Sequence, residues 1–226
     1  DRYLGYRKRF MSRIFQLKDK LPAIAGFYPL DVAQDSTTKE FFDAFSKENP
    51  GKKADILIHA IGFAPRTCFD RPILFVEDQD INTAMTISAN SLQRCLKFAL
   101  PYLNDNSSTI TLTYAASNRF VPSYGIMSMA KAALECWTRE LACHLGPEGH
   151  RINAISSGPI RTIAASGIPG FENILDHVEK NSPLRRNVNQ DDVAGATLWL
   201  ASALSRGVSG QCIYVDGGAS MTMGRE

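Results

Sequence analysis

The chain has 226 residues, 44% hydrophobic and 21% charged, with a formal net charge of +2. That length can bury a sizeable core, the charge balance gives no reason to expect nucleic acid or an anionic membrane as partner, and no apolar run is long enough to span a bilayer. The five cysteines are scattered, form no C-x-x-C pair and do not cluster with the four histidines, which argues against a disulfide framework or a metal site and for buried reduced thiols in a cytoplasmic protein.

Residues 2 to 18 carry Arg2, Arg7, Lys8, Arg9 and Arg13 with some helical spacing; they read as a solvated face or as a contact to a cofactor phosphate. AIAGFYPL (23–30) predicts a strand, followed by Asp31-Val32. A helix capped by Thr37 or Thr38 should run to about Asn49 and stop at Pro50-Gly51. Asp55 to His59 predicts a short apolar strand, and Ala60 to Pro65 a loop after it. Val76 to about Leu100 has the pattern of one long helix, with Ile81, Met85, Leu92, Leu96 and Leu100 inward. A strand at Thr109 to Tyr114 precedes an amphipathic helix from Tyr124 to Leu145, closed by Gly146-Pro147. Arg151 to Ile155 is a strand and Ser156 to Ile168 a loop; helices follow over Phe171–Lys180 and Gln190–Ala203, then a strand over Cys212–Val215 and a turn at Asp216-Gly217-Gly218.

Short β-rich runs thus alternate with helices and no composition break marks a linker, which predicts one α/β domain over residues 1–226: a Rossmann-like, doubly wound parallel sheet. Ligands in such folds sit beyond the carboxyl ends of the strands, so the candidate loops are Asp31-Val32, Ala60–Pro65, Tyr114–Tyr124 and Ser156–Ala165. Tyr124 and Lys131 are seven residues apart, almost two turns, and would share a helix face. A phenol beside an ammonium makes an acid site for a reduced carbonyl or enolate; an ordinary solvated pair has the same spacing. His59 is better read as a hydrogen-bonded structural histidine than as an acid, and Asp191-Asp192 as a helix cap rather than a metal site.

Several motifs together carry a resemblance. The chain has Tyr114-x9-Tyr124-x6-Lys131, with Ser128 where most short-chain dehydrogenases/reductases place a lysine, and the stretches HAIGFAP, LGPEGHRINAIS, RINAISSGPIRTIAASGI (151–168) and YVDGG. From roughly Asp31 to Gly218 it resembles the bacterial enoyl-[acyl-carrier-protein] reductase family of that superfamily. The resemblance implies NAD(P)H-dependent reduction of the 2,3 double bond of trans-2-enoyl thioesters on acyl carrier protein in fatty-acid elongation, NADH ahead of NADPH, and a homotetramer. It implies that Tyr124 hydrogen-bonds the thioester carbonyl, that Lys131 holds the nicotinamide ribose, and that Tyr114 is a second active-site tyrosine. Asp31 and Val32 would hold adenine; Ile61 and Gly62 would line the path to the pyrophosphate. Ile160, Arg161, Thr162, Ile163 and Ala164 would contact the carboxamide and diphosphate. Ala64, Met127, Ala165, Ile168 and Phe171 would form the substrate wall.

A family member should open with a strand, a Gly-rich turn and a helix that receives the pyrophosphate. No such turn occurs here, so the chain is expected to enter the pattern about one βα unit late. A 3-oxoacyl or carbonyl reductase, which would carry Y-x-x-x-K, and a non-catalytic oligomeric binding protein of the same fold stay as alternatives.

Overall fold

A computed structural model describes residues 2–6, 24–162 and 165–222. Among them, strands β1 (Arg2–Tyr6) and β2 (Ile24–Pro29) lead into helix α1 (Asp35–Glu48) and strand β3 (Ala54–His59). A short helix α2 (Thr67–Asp70) precedes α3 (Asp78–Met85) and α4 (Ser91–Ala99). Strand β4 (Leu103–Thr113), helix α5 (Ile126–Leu145) and strand β5 (Arg151–Ser157) follow, then α6 (Phe171–Asn181), α7 (Gln190–Ala201), β6 (Cys212–Val215) and α8 (Ala219–Thr222). The helical spacing expected at residues 2 to 18 gives way to strand β1 at its start; its remainder lies outside the described residues.

Internal contacts divide the chain into two compact units, residues 1–54 with 93–104, and residues 55–92 with 105–226. In the first, β1 and β2 pair in parallel. Helix α1 buries Thr38, Phe41, Phe42 and Phe45, the i, i+3, i+4, i+7 positions of one face. Its N-cap is Gln34, not a threonine. The Thr37 hydroxyl instead donates to the Asp31 carbonyl at 2.6 Å and that of Thr38 to the Gln34 carbonyl at 2.8 Å. Asp35 accepts from Arg94 and Lys97, each at 2.7 Å.

The second unit is built on the sheet β3-β4-β5-β6. β4 pairs with β5 in parallel, Ile110 opposite Asn153, and β5 with β6, Ile155 opposite Ile213. Helices α5 and α7 both pack on β5. Ile110 and Ile155 form a core cluster with Val193 and Leu200 of α7. Successive strand residues point to opposite faces, so Ile152 and Ala154, fully buried, face away from α7. This is the expected doubly wound arrangement.

Some expected helix boundaries move. The pattern over 76–100 is interrupted: a π turn at Thr86–Asn90 separates α3 from α4. The inward residues kept a perfect helical spacing across it, so periodicity carried no sign of the break. Helix α5 starts at Ile126 and Tyr124 stands outside it, because Gly125 at the N-cap has φ 52° and ψ −133°. A Cβ there would lie 2.4 Å from the Cys68 carbonyl oxygen, so only glycine lets the chain pass. At the other end α5 stops at Leu145 with Gly146 as its cap, as expected, and Gly149, with φ 88°, takes the left-handed conformation that ends the following turn.

α7 ends at Ala201, and its cap is Asn189, whose side chain accepts from Asp191 and Asp192 amides while Asp192 accepts from the Asn189 amide. Arg186 grips Asp192 with two bonds of 2.7 and 2.9 Å, and that pairing, first of all, holds the carboxyl down at about 2. No group of residues able to hold a metal occurs among the described residues. All five cysteines are free, but Cys136 and Cys143 on α5 are exposed rather than buried. No helix among the described residues is long and apolar enough to cross a membrane.

Candidate active site

A cavity of about 940 Å³ opens in the second unit. Its walls come from the chain just beyond three parallel strands: Ala60 to Ala64 after β3, Thr113 and Tyr114 at the end of β4, and Ser157 to Ile160 after β5. Tyr124, and Met127 and Lys131 on the first turns of α5, complete one side; Ala165, Ile168 and Phe171 complete another. Convergence at the carboxyl ends of strands follows from the crossover connections, which return each helix to the far end of the sheet.

Nearly all of the residues singled out in this unit are therefore brought together. Ile61, Gly62, Ala64, Tyr114, Tyr124, Met127, Lys131, Ile160, Thr162, Ala165, Ile168 and Phe171 all line the cavity. Arg161 does not; it is exposed and paired with Glu172. Ile163 and Ala164 lie outside the described residues. Asp31 and Val32 belong to the first unit, in the turn before α1: Val32 is buried and its carbonyl accepts from Arg94 at 2.6 Å.

Lys131 is the dominant electrostatic feature. Its side chain is buried, with the residue 7% exposed, and its Nζ donates to the Leu112 carbonyl at 2.8 Å. Burial pulls its pKa down to about 8, opposed by the charge of Glu135 one turn along. An ammonium has three donors, so two remain beyond the bond to Leu112. Gly62 is opposite: a Cβ there would come within 3.8 Å of Nζ and 4.0 Å of the Met127 Cε. The missing side chain keeps that side of the lysine open.

The tyrosine rings of Tyr114 and Tyr124 pack with centroids 4.9 Å apart, tilted by 53°. Both join the cluster of Ala116, Val121, Met127 and Ala130. Desolvation, then the Asp216 charge, raises Tyr114 to about 12; desolvation, then Tyr114, raises Tyr124 as well. Both phenols are thus held in the protonated, donating form. The Tyr114 hydroxyl is buried and has no hydrogen-bond partner among the described residues. Such an atom costs free energy unless a ligand satisfies it.

His59 lies just behind this site. Its Nε2 is 2.8 Å from the Ser91 hydroxyl and its Nδ1 2.9 Å from that of Thr111. Ser91 donates to the Ile87 carbonyl at 2.6 Å, so it accepts from His59; the Thr111 hydroxyl, beside Nδ1, also reaches the His59 carbonyl at 3.3 Å. Burial, then the Lys131 charge, pushes the imidazole down to about 3. It is a neutral structural histidine, as the sequence suggests.

The fold and cavity have counterparts. Residues 3–220 match the family described as Enoyl-(Acyl carrier protein) reductase. The chain belongs to that family. The enoyl-[acyl-carrier-protein] reductase [NADH] of Haemophilus influenzae is 43% identical over 195 residues, covering 86% of this chain and 74% of the relative. Among solved structures, the reductase of Anaplasma phagocytophilum in complex with NAD superposes with a TM-score of 0.91 at 32% identity, covering 99% of this chain and 83% of that one. The Bacillus cereus enoyl-acyl carrier protein reductase, with NADP+ and indole naphthyridinone, gives 0.92 at 34% identity, covering 96% and 84%.

Lining residues that sequence reasoning missed include Phe69, Leu112, Ile174 and Val193. Each has the signature of a core residue, and only the packing shows that it borders a cavity. The π turn was missed too, although its Ser88 reaches the Ala60–Ala64 loop.

Proposed function

We propose that this chain reduces the 2,3 double bond of trans-2-enoyl thioesters carried on acyl carrier protein, as a step of fatty-acid elongation, with NADH as reductant. The observation that carries the reading is the juxtaposition, in one cavity, of a buried lysine with spare donors, the buried Tyr124 and the half-buried Tyr114, whose buried hydroxyl has no partner among the described residues. Family membership and the NADH-dependent relatives support the choice of reaction.

The residues fit a nicotinamide cofactor. Lys131 has donors to spare for vicinal ribose hydroxyls, Gly62 leaves room beside it, and Ile61, Ile160 and Thr162 complete that side. Bound NADH supplies a hydride. Tyr124 donates a hydrogen bond to the thioester carbonyl oxygen. Reduction at the β-carbon moves negative charge onto that oxygen, and a protonated phenol in a low-dielectric wall binds the charge more tightly as it grows. Lys131 keeps the local potential positive while it is protonated. Tyr114, held protonated, is a second donor to the same region. Ala64, Met127, Ala165, Ile168 and Phe171 exclude water and take the acyl chain. A cytoplasmic homotetramer is part of the proposal; exposed Leu198 and Leu204 offer apolar surface for assembly, and light scattering on the purified protein checks it.

The reaction is tested by following oxidation of NADH, and separately of NADPH, with a trans-2-enoyl thioester. Turnover with NADH is expected. No turnover with either cofactor rejects the proposal. Faster reduction of a 3-oxoacyl thioester would favour a carbonyl reductase, against which Ser128, four residues after Tyr124, stands in place of the lysine of Y-x-x-x-K.

A further inference from the structure

Ser88 lies in the π turn Thr86–Asn90 and is fully buried. Its hydroxyl accepts from the Phe63 amide at 2.8 Å and donates to the Phe63 carbonyl at 2.7 Å. It also stands 3.6 Å from the Met127 sulfur. One side chain therefore satisfies both polar groups of a single loop residue. That residue sits between Gly62 and Ala64, both cavity-lining, and Gly62 is the residue facing the Lys131 amine. An i→i+5 turn widens the helix locally and commonly marks a functional position. Here a straight α-helix would place a different residue against the loop.

We infer that Ser88 is a positioning residue: by bridging the amide and carbonyl of Phe63 it sets the separation between the Ile61–Ala64 loop and Lys131, and so tunes cofactor binding. The inference rests on the reading of this cavity as an NADH site. The hydroxyl touches neither substrate nor cofactor, so its effect must appear as affinity rather than as loss of the chemical step. Losing the hydroxyl removes both bonds between Ser88 and Phe63 and lets the loop drift from the lysine.

The test compares the full chain with Ser88→Ala, Ser88→Cys and Ser88→Thr. In Ser88→Ala the KM for NADH should rise on the order of tenfold, while kcat at saturating NADH changes by less than about threefold. Ser88→Cys fills the same space with a weak hydrogen-bonding group and should behave like Ser88→Ala. Ser88→Thr keeps the hydroxyl and should restore the KM. An unchanged KM in Ser88→Ala, or a wild-type KM in Ser88→Cys, overturns the inference. So does a fall in kcat and thermal stability without a rise in KM, because that describes a merely structural residue. Hydrogen exchange at the Phe63 amide gives a readout independent of activity: protection should drop in Ser88→Ala, and unchanged protection rejects the bridge. If the wild-type chain oxidises no NADH, the functional reading fails, and exchange at Phe63 still decides whether Ser88 holds the loop.

Discussion

The second unit contains two buried polar regions that border one another and behave in opposite ways. Around His59 every donor and acceptor of the imidazole is used, by Ser91 and Thr111. Among the described residues, Lys131 engages only the Leu112 carbonyl, and the neighbouring Tyr114 hydroxyl has no partner. Both basic groups are pushed down by desolvation, His59 to about 3 and Lys131 to about 8. Their charges also oppose each other, and the histidine yields, because a neutral imidazole can still be satisfied by two hydroxyls whereas the lysine near neutral pH keeps its proton. A closed network holds the strand ends in place. An open one, in a cavity, waits for a ligand.

The sharpest way to break this comparison is to remove the open region's donors. Tyr124→Phe or Lys131→Ala should lower kcat/KM by about 10²–10⁴-fold, read from NADH oxidation with an enoyl thioester. Full activity in either variant would dissolve the distinction. Lys131 also predicts a pH limb: its ammonium is charged below about 8, so kcat/KM should fall as pH rises through that value. The sign for stability is opposite. Between about 8 and the ordinary 10.5 the unfolded chain binds more protons, so stability should rise with pH across that window and should not do so in Lys131→Met.

Tyr114→Phe is a finer probe. It removes an unpartnered buried hydroxyl, so thermal stability should hold or rise, while kcat/KM falls roughly tenfold as a donor to the reacting region is lost. A matching loss of both would place Tyr114 with the closed network. The smallest effect concerns His59. Its folded pKa of about 3 lies below the ordinary 6.5, so its contribution is fully present above about 6.5 and is lost as pH falls toward 3. Urea titrations at several pH values should show this slope in the wild type and a shallower one in His59→Gln, with kcat near neutral pH little changed.

Much of this was legible in one dimension. Alternating short strands and helices, with turn residues after each strand, require a parallel sheet whose loops gather at one edge, and that placed Ile61, Gly62, Tyr114, Tyr124 and Ile160 at the same cavity. The Tyr114, Tyr124 and Lys131 spacing, with Ser128, identified the family. A shared helix face does not account for the pair, however: Tyr124 stands outside α5, and the two residues meet at the cavity because Gly125 passes beneath the Cys68 carbonyl.

Composition and spacing determined the fold class, the strand-end loops and the chemistry-bearing residues, because periodicity and turn chemistry are properties of neighbours along the chain. The tertiary structure alone decided that Lys131 keeps spare donors, that the Tyr114 hydroxyl has no partner among the described residues and that Ser88 of a π turn holds Phe63. Those facts depend on desolvation and on contacts between residues distant in sequence, such as Ser88 and Phe63, or Lys131 and the Leu112 carbonyl, and no local pattern encodes them.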